Sequence, residues 1–126
     1  MSTYAHQAYS QNHTAVQTPE KLIEMLYEGL LKFTALAKRA IEEKNFESKA
    51  KWINRSTDIF ILLNSSLSDD GTEMSAYLSG LYMHQIESLN NANIQNSTSE
   101  LDTVIHVTKV LLETWKEETT VAYEMA

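Results

Sequence analysis

The chain has 126 residues, with 17 acidic and 10 basic side chains, a formal net charge of −7 and no cysteine. That length suits one domain with its own hydrophobic core, and the acidic balance argues against nucleic-acid binding, which requires a basic surface. The lack of cysteine excludes disulfides and thiolate chemistry, and no apolar run approaches the ~18 residues of a membrane-spanning helix, so we expect no membrane insertion.

The chain contains three glycines and one proline, and this scarcity of turn-forming residues indicates long helices. Residues 1–17 show no helical period, which predicts an N-terminal arm. Thr18 then precedes Pro19 and Glu20, a sequence typical of a helix start. Thr18 can cap the free N–H groups, Pro19 has no N–H to leave unpaired, and the charge of Glu20 suits the positive end of a helix. The first helix is predicted to end near Lys44. Its apolar seam has spacings of three and four: Leu22, Met25, Leu26, Phe33, Ala37, Ala40 and Ile41.

The later helices follow the same pattern. The second is predicted to begin at Phe46, after a short turn, and its apolar seam continues to Leu67. Asp70 and Glu73 have the spacing of a capping box at the start of a third helix, and residues 97–100 form a second capping box before a fourth. Four amphipathic helices with short turns predict an all-α fold, an antiparallel up-down four-helix bundle.

The organisation predicted from these elements has three parts. Residues 1–17 form the N-terminal arm, residues 18–118 the four-helix bundle, and residues 119–126 a C-terminal tail that frays. The first residues lack the basic region and apolar run of a secretory signal, so we expect a cytoplasmic protein. Nothing in the pattern requires more than a monomer.

No arrangement of residues predicts catalysis. No glutamate has a histidine three residues later, as in the di-metal sites of helical bundles, and no two histidines have the i, i+4 spacing of a helical zinc site. Three isolated glycines cannot build a phosphate-binding loop. We therefore expect a protein that is not an enzyme and that uses no metal and no cofactor.

Some apolar residues do not fit a simple bundle seam. Ile23 and Tyr27 lie off the seam assigned to the first helix, and residues 59–63 are five consecutive apolar residues. Because successive residues lie ~100° apart around a helix, these five cannot all face one core, and Ile61 or Ile59 must face outward or lie under a cover. Either the arm and neighbouring side chains cover these residues, or they form an exposed apolar groove for a partner's amphipathic helix. The two alternatives are compatible if the arm occupies the groove until a partner displaces it.

Several motifs in order resemble the flagellar export chaperone family FliS. The run TPEKLIEMLYEG at residues 18–29 is similar to that family's Ser-Pro-x-x-Leu-hydrophobic-x-Met-Leu-Tyr-Asp-Gly signature, with Thr18 for serine and Glu28 for aspartate. The family often has two glycines before the third helix, where this chain has Asp70 and Gly71. The further matches are Ala8-Tyr9, LNSSL at 63–67, LSGLY at 78–82, Ala92-Asn93 and Trp115-Lys116.

This resemblance implies a function. Members of the family bind the C-terminal segment of flagellin in the cytoplasm, stop flagellin from polymerising before secretion and help to deliver it to the flagellar type III export apparatus. It further implies one chaperone monomer per cargo segment, and it admits export-gate components or a co-chaperone as additional partners. The flagellin segment is disordered alone and folds on the chaperone, so the conformational entropy that it loses on folding opposes binding.

The resemblance and the leftover apolar surface together give six predicted partner-binding residues. Tyr9 corresponds to the arm tyrosine of the family, and Ile23 and Tyr27 lie in the matched first-helix motif. Three further residues are predicted on the surface that the helix seams leave over: Asn54 and Ile61 on the second helix and Tyr82, which flanks the seam of the third.

Two other functions remain open from the residues alone. The chain could be an adaptor for another secreted protein, which a different cargo tail would reveal. It could instead be a helical regulatory module for a basic partner, because its net charge is negative. Binding to a basic partner should weaken with salt, whereas binding in an apolar groove should respond much less.

Overall fold

The computed structural model describes residues 18–68 and 70–125. They form four helices and, within those ranges, no strand: α1 (Pro19–Glu42), α2 (Phe46–Ser65), α3 (Glu73–Gln95) and α4 (Thr98–Met125). Each helix packs against the next along the chain, and α4 packs back against α1. The helices therefore form a closed ring in which α1 is diagonal to α3, and the predicted four-helix bundle is confirmed.

The first two helix starts agree with the prediction. The Lys21 N–H donates to Thr18 Oγ1 at 3.1 Å, and the Ser48 N–H donates to Asn45 Oδ1 at 3.2 Å. The first helix, however, ends at Glu42 and not near Lys44. Lys44 has a φ of 59°, so the chain has already left the right-handed helical conformation and turned towards α2.

The predicted capping box of Asp70 and Glu73 is wrong, because the residue that caps α3 is Thr72. Its Oγ1 accepts the Ser75 N–H at 3.2 Å. Asp70 lies two residues earlier, and its Oδ1 accepts the Thr72 N–H at 3.0 Å, which forms an Asx-turn leading into the helix. At the second predicted box, Ser97 Oγ accepts the Glu100 N–H at 3.3 Å, so the start of α4 is capped as expected.

The fourth helix continues past residue 118 to Met125, beyond the predicted end of the bundle. No glycine or proline interrupts residues 119–125, and the Thr119 hydroxyl donates to the Trp115 carbonyl at 2.9 Å. The Trp115 indole N–H in turn donates to the Glu20 carbonyl at 2.8 Å, which ties α4 to the first turn of α1. The division into arm, bundle and tail stays a prediction, and the arm lies outside the described residues.

The buried face of α1 agrees with the predicted seam at Ala37, Ala40 and Ile41 but differs from it in the first turns. Tyr27 and Leu30 point into the bundle, whereas Leu22 and Met25 are 41% and 40% exposed. The first helix is apolar around much of its circumference, so residue type alone does not choose its inner face. The largest side chains with almost no exposed area are Phe60, Leu30, Ile53, Leu63, Leu89 and Leu101.

A hydrogen bond between two tyrosines crosses the centre of the bundle. The hydroxyl oxygens of Tyr27 on α1 and Tyr82 on α3 are 2.6 Å apart, and each residue is only 3% exposed. The Phe60 ring lies beside them, with its centroid 6.0 Å from that of Tyr82. A hydroxyl group buried without a hydrogen-bond partner destabilises the fold, and each tyrosine supplies that partner to the other. Burial raises the pKa of both phenols, and the bond to Tyr82 adds to the rise for Tyr27.

We expect Tyr27→Phe or Tyr82→Phe alone to lower the free energy of unfolding by about 1–3 kcal/mol, because each leaves the remaining hydroxyl buried without its partner. The double variant should lose less than the sum of the two, since it leaves no orphaned hydroxyl. Urea unfolding of the three variants measures this coupling. Tyr77→Phe is the matched control, because Tyr77 lies on the same helix and is 66% exposed. Additive losses, or none, would contradict the assigned role of the bond.

The same pair should make the fold sensitive to alkali. An exposed tyrosine in the unfolded chain titrates near pH 10, whereas the folded phenols keep their protons above that pH. The stabilisation that the two buried phenols provide is therefore fully present below about pH 10 and is lost as the pH rises, by at most about 1.4 kcal/mol per pH unit for a phenol that stays protonated in the folded state. Urea unfolding between pH 9 and about 11.5 should show a steeper fall for the natural chain than for the double phenylalanine variant. Parallel curves would refute the prediction.

Candidate partner-binding groove

An open cleft of about 700 Å³ lies where α2 meets α3. Most of its lining groups are uncharged, and Glu87 is the one carboxylate among them. Side-chain amides alternate with apolar groups, so the cleft offers both hydrogen bonds and apolar contact. The lining residues are Ile53, Asn54, Thr57, Gly80, Met83, His84, Ile86, Glu87, Asn90 and Asn93.

A second cleft, of about 380 Å³, lies between the same two helices closer to the loop that joins them. Ser79 lines this cleft and its neighbour Gly80 lines the larger one, so the two follow one another along α3. We call the two clefts together the outer groove. The smaller cleft is lined by Asn64, Leu67, Ser68, Gly71, Thr72, Ser75, Ala76 and Ser79.

Large apolar side chains stand at the outer groove. Met83 lines it and is 53% exposed. Ile61, also 53% exposed, lies four residues after Thr57 and three before Asn64, which line the larger and the smaller cleft. Residues at those spacings share one face of a helix, so Ile61 belongs to the same side of α2. Exposed apolar side chains beside a concave surface are typical of a protein-binding site.

Gly80 gives the wall of the outer groove its low profile. It lies inside α3, where glycine costs roughly 1 kcal/mol relative to alanine. A Cβ atom added at residue 80 would have no heavy atom within 4 Å, so packing inside the bundle does not require a glycine at this position. The side chains of Ala76 and Ser79 on the preceding turn are also small. A second helix can therefore approach the backbone of α3 closely at this point.

The six predicted partner-binding residues fall into separate places. Asn54 lines the outer groove and Ile61 stands on the same side of α2, so the structure brings these two together. Ile23 is half-buried against the core, and Tyr9 lies outside the described residues. The expectation that Tyr27 and Tyr82 belong to a leftover outer surface is wrong, because their hydroxyls satisfy one another inside the bundle.

The sequence interpretation missed Met83 and Gly80. Gly80 carried a usable signal, because a glycine in the middle of a long helical pattern needs a reason in packing or binding. Met83 carried none, since its exposure depends on Tyr82 turning inward.

Among the described residues no group of three or more histidine, cysteine, aspartate or glutamate side chains could hold a metal ion, and none of the four helices is long and apolar enough to cross a membrane.

Comparisons with known proteins agree on one family. The model of the family described as flagellar protein FliS matches residues 1–122 of the chain. The chain is 47% identical over 114 residues to the flagellar secretion chaperone FliS of Campylobacter jejuni, covering 90% of this chain and 89% of that protein. It is 36% identical over 110 residues to the protein of the same name from Bacillus subtilis, covering 87% and 82%.

A solved structure shares the fold. The crystal structure of a bacterial flagellar chaperone superposes with a TM-score of 0.76 and covers 95% of this chain and 98% of its own. Its sequence is 18% identical, so this likeness bears on the fold alone.

Proposed function

The chain belongs to the FliS family of flagellar secretion chaperones, and we propose that it binds the C-terminal segment of flagellin in the cytoplasm. Bound there, it keeps flagellin from polymerising early and aids its delivery to the flagellar type III export apparatus. Each chaperone monomer binds one cargo segment, without catalysis. Export-gate components or a co-chaperone are the additional partners within this proposal.

The outer groove is the observation that carries this proposal. It joins a low wall at Gly80 to two apolar side chains, Ile61 and Met83, that are each more than half exposed. An amphipathic cargo helix would bury its apolar face against these side chains. The amide of Asn54 would accept or donate hydrogen bonds at the edge of that helix. Because the lining is largely uncharged, the contact depends on burial more than on charge.

The binding energy must leave room for release. Flagellin's C-terminal segment orders only as it binds, and the conformational entropy it loses offsets much of the favourable apolar burial. A wide contact surface can therefore coexist with moderate affinity. That balance suits a chaperone whose cargo must leave at the export apparatus.

The six residues predicted from sequence then take different parts. Asn54 and Ile61 contact the cargo, together with Met83. Tyr27 and Tyr82 hold α1 and α3 in place from inside and so position the outer groove without touching the cargo. Tyr9, in the arm, and Ile23, on α1, stay predicted partner-binding residues.

Calorimetry against a peptide of flagellin's C-terminal segment tests the proposal. The natural chain should saturate near one to one, with a negative heat-capacity change from apolar burial. Met83→Asp should weaken binding by about 1.4–2.8 kcal/mol, roughly 10- to 100-fold in Kd, because it places a charge in the apolar contact. Val110→Asp is the matched control: Val110 is 49% exposed and lies on α4, away from the outer groove. Equal losses in both variants would overturn the assigned location, and no complex with the natural chain would overturn the flagellin assignment.

Gly80→Ala should change the stability of the fold and the affinity for flagellin in opposite directions, as measured by urea unfolding and by calorimetry. The added methyl group should raise the free energy of unfolding by about 0.5–1 kcal/mol, since it improves helix propensity and meets nothing in the bundle. The same methyl group should weaken flagellin binding, because it lifts the cargo helix from the backbone of α3. A variant that gained stability and kept its full affinity would contradict close packing at Gly80.

A further inference from the structure

A cluster of cations and aromatic rings lies where α1 meets α2. It comprises Lys32 and Phe33 from α1 and Lys51, Trp52 and Arg55 from α2, and we call it the cation–aromatic patch. The Phe33 and Trp52 rings stack with centroids 5.5 Å apart and planes inclined by 15°. The Arg55 guanidinium carbon is 5.5 Å from the Trp52 centroid and 6.0 Å from the Phe33 centroid. Lys51 Nζ lies 4.6 Å from the Trp52 centroid, and Lys32 Nζ lies 6.0 Å from that of Phe33.

The three charges of the patch differ from three other basic groups of this acidic chain and, among the described residues, share their lack of an ion pair with Lys44, Lys109 and Lys116. Lys21, Lys38 and Arg39 each form an ion pair with a carboxylate. In residues 18–68 and 70–125, by contrast, Lys32, Lys51 and Arg55 have no carboxylate within 4.0 Å and donate no hydrogen bond.

Among the described residues, carboxylates on the same helices lie near the patch but form no ion pair with its cations. Glu28 precedes Lys32 by four residues, Glu47 precedes Lys51 by four, and Asp58 follows Arg55 by three. These spacings permit ion pairs on a helix, but none forms within 4.0 Å. The cations instead lie close to the faces of two half-buried rings.

Physical chemistry gives this arrangement a preferred ligand. Three like charges around one pair of rings repel one another, and an opposite charge brought to them relieves that repulsion. The guanidinium of Arg55 can hold a carboxylate through two parallel N–H donors, and the lysines add mobile point charges. The ring faces favour cations and supply apolar area beside them, which suits a polypeptide better than a small anion.

We propose that the cation–aromatic patch is a second docking surface, which binds an acidic segment of a partner polypeptide. It lies between α1 and α2, whereas the outer groove lies between α2 and α3, so the two surfaces are on different sides of α2. The occupant is a separate molecule, because residues 1–17 contain no aspartate or glutamate and the arm lacks the complementary charge. This inference does not depend on flagellin as the cargo.

A fluorescein-labelled oligoglutamate peptide is the probe, with fluorescence anisotropy at low ionic strength as the readout. The natural chain should bind it, and Lys51→Glu combined with Arg55→Glu should weaken binding at least about tenfold. The matched control combines Lys109→Glu with Lys116→Glu, which changes the net charge equally on exposed positions of α4 and should leave most of the affinity. Met83→Asp should bind the peptide almost as the natural chain does, because its change is in the outer groove.

Four results would overturn the proposal. The first is that the natural chain fails to bind the peptide. The second is an equal loss of affinity in the two double charge variants, which would indicate a dependence on net charge and not a site.

The third is tighter binding to phosphatidylglycerol vesicles than to the peptide, which would assign the patch to a lipid surface. The fourth is a dimer in sedimentation that only the Lys51 and Arg55 variant abolishes, which would assign the patch to a second copy of the chain. Circular dichroism and urea unfolding of each variant confirm that the comparison is made between folded proteins.

Discussion

The hydrogen bond between the Tyr27 and Tyr82 hydroxyls is the constraint on which the rest of the bundle depends. It joins α1 to α3, the two helices that face one another diagonally across the ring. A phenol buried without a partner is costly, so the inner faces of both helices must be set together. Once Tyr82 points inward, its neighbours Gly80 and Met83 are turned away from the centre and towards α2. The outer groove is therefore a consequence of how the centre is packed.

Much of the fold could be predicted from local signals. The caps at Thr18 and Asn45 act within one helical turn, and the sequence shows them directly. The cap of α3 was harder, because Asp70 and Thr72 are both good capping residues and only the path of the loop decides between them. The length of α4 is hard to predict, since a helical sequence without packing partners gives little sign of where the helix ends.

The binding surface was less predictable, because exposure is a tertiary property. The first helix has more apolar residues than one face can hold, and the tyrosine pair decides which of them turn inward. Five consecutive apolar residues cannot share a core, which predicts that Ile61 or Ile59 faces outward or lies under a cover; Ile61 is 53% exposed and Ile59 is half-buried. The cation–aromatic patch could not be predicted from the sequence, since Lys32 and Phe33 lie about 20 residues before Lys51, Trp52 and Arg55 and meet them only after folding.

The two proposed surfaces would respond differently to their surroundings. Contact in the outer groove depends on apolar burial and changes little with salt, whereas an acidic segment on the cation–aromatic patch is screened at high ionic strength. A chaperone with this division could hold its cargo while a second protein binds or leaves. Such independence suits a role in secretion, in which cargo must be both protected and handed on.

The central claim is that cargo lies along α2 and α3, and photo-crosslinking tests it most directly. A benzophenone side chain placed at Met83, in the outer groove, is compared with one placed at Val110 on α4, which is similarly exposed. After illumination with flagellin, the account predicts a covalent product with flagellin's C-terminal segment from position 83 and little or none from position 110. A product from position 110 alone would contradict the account and place the cargo on the opposite side of the bundle.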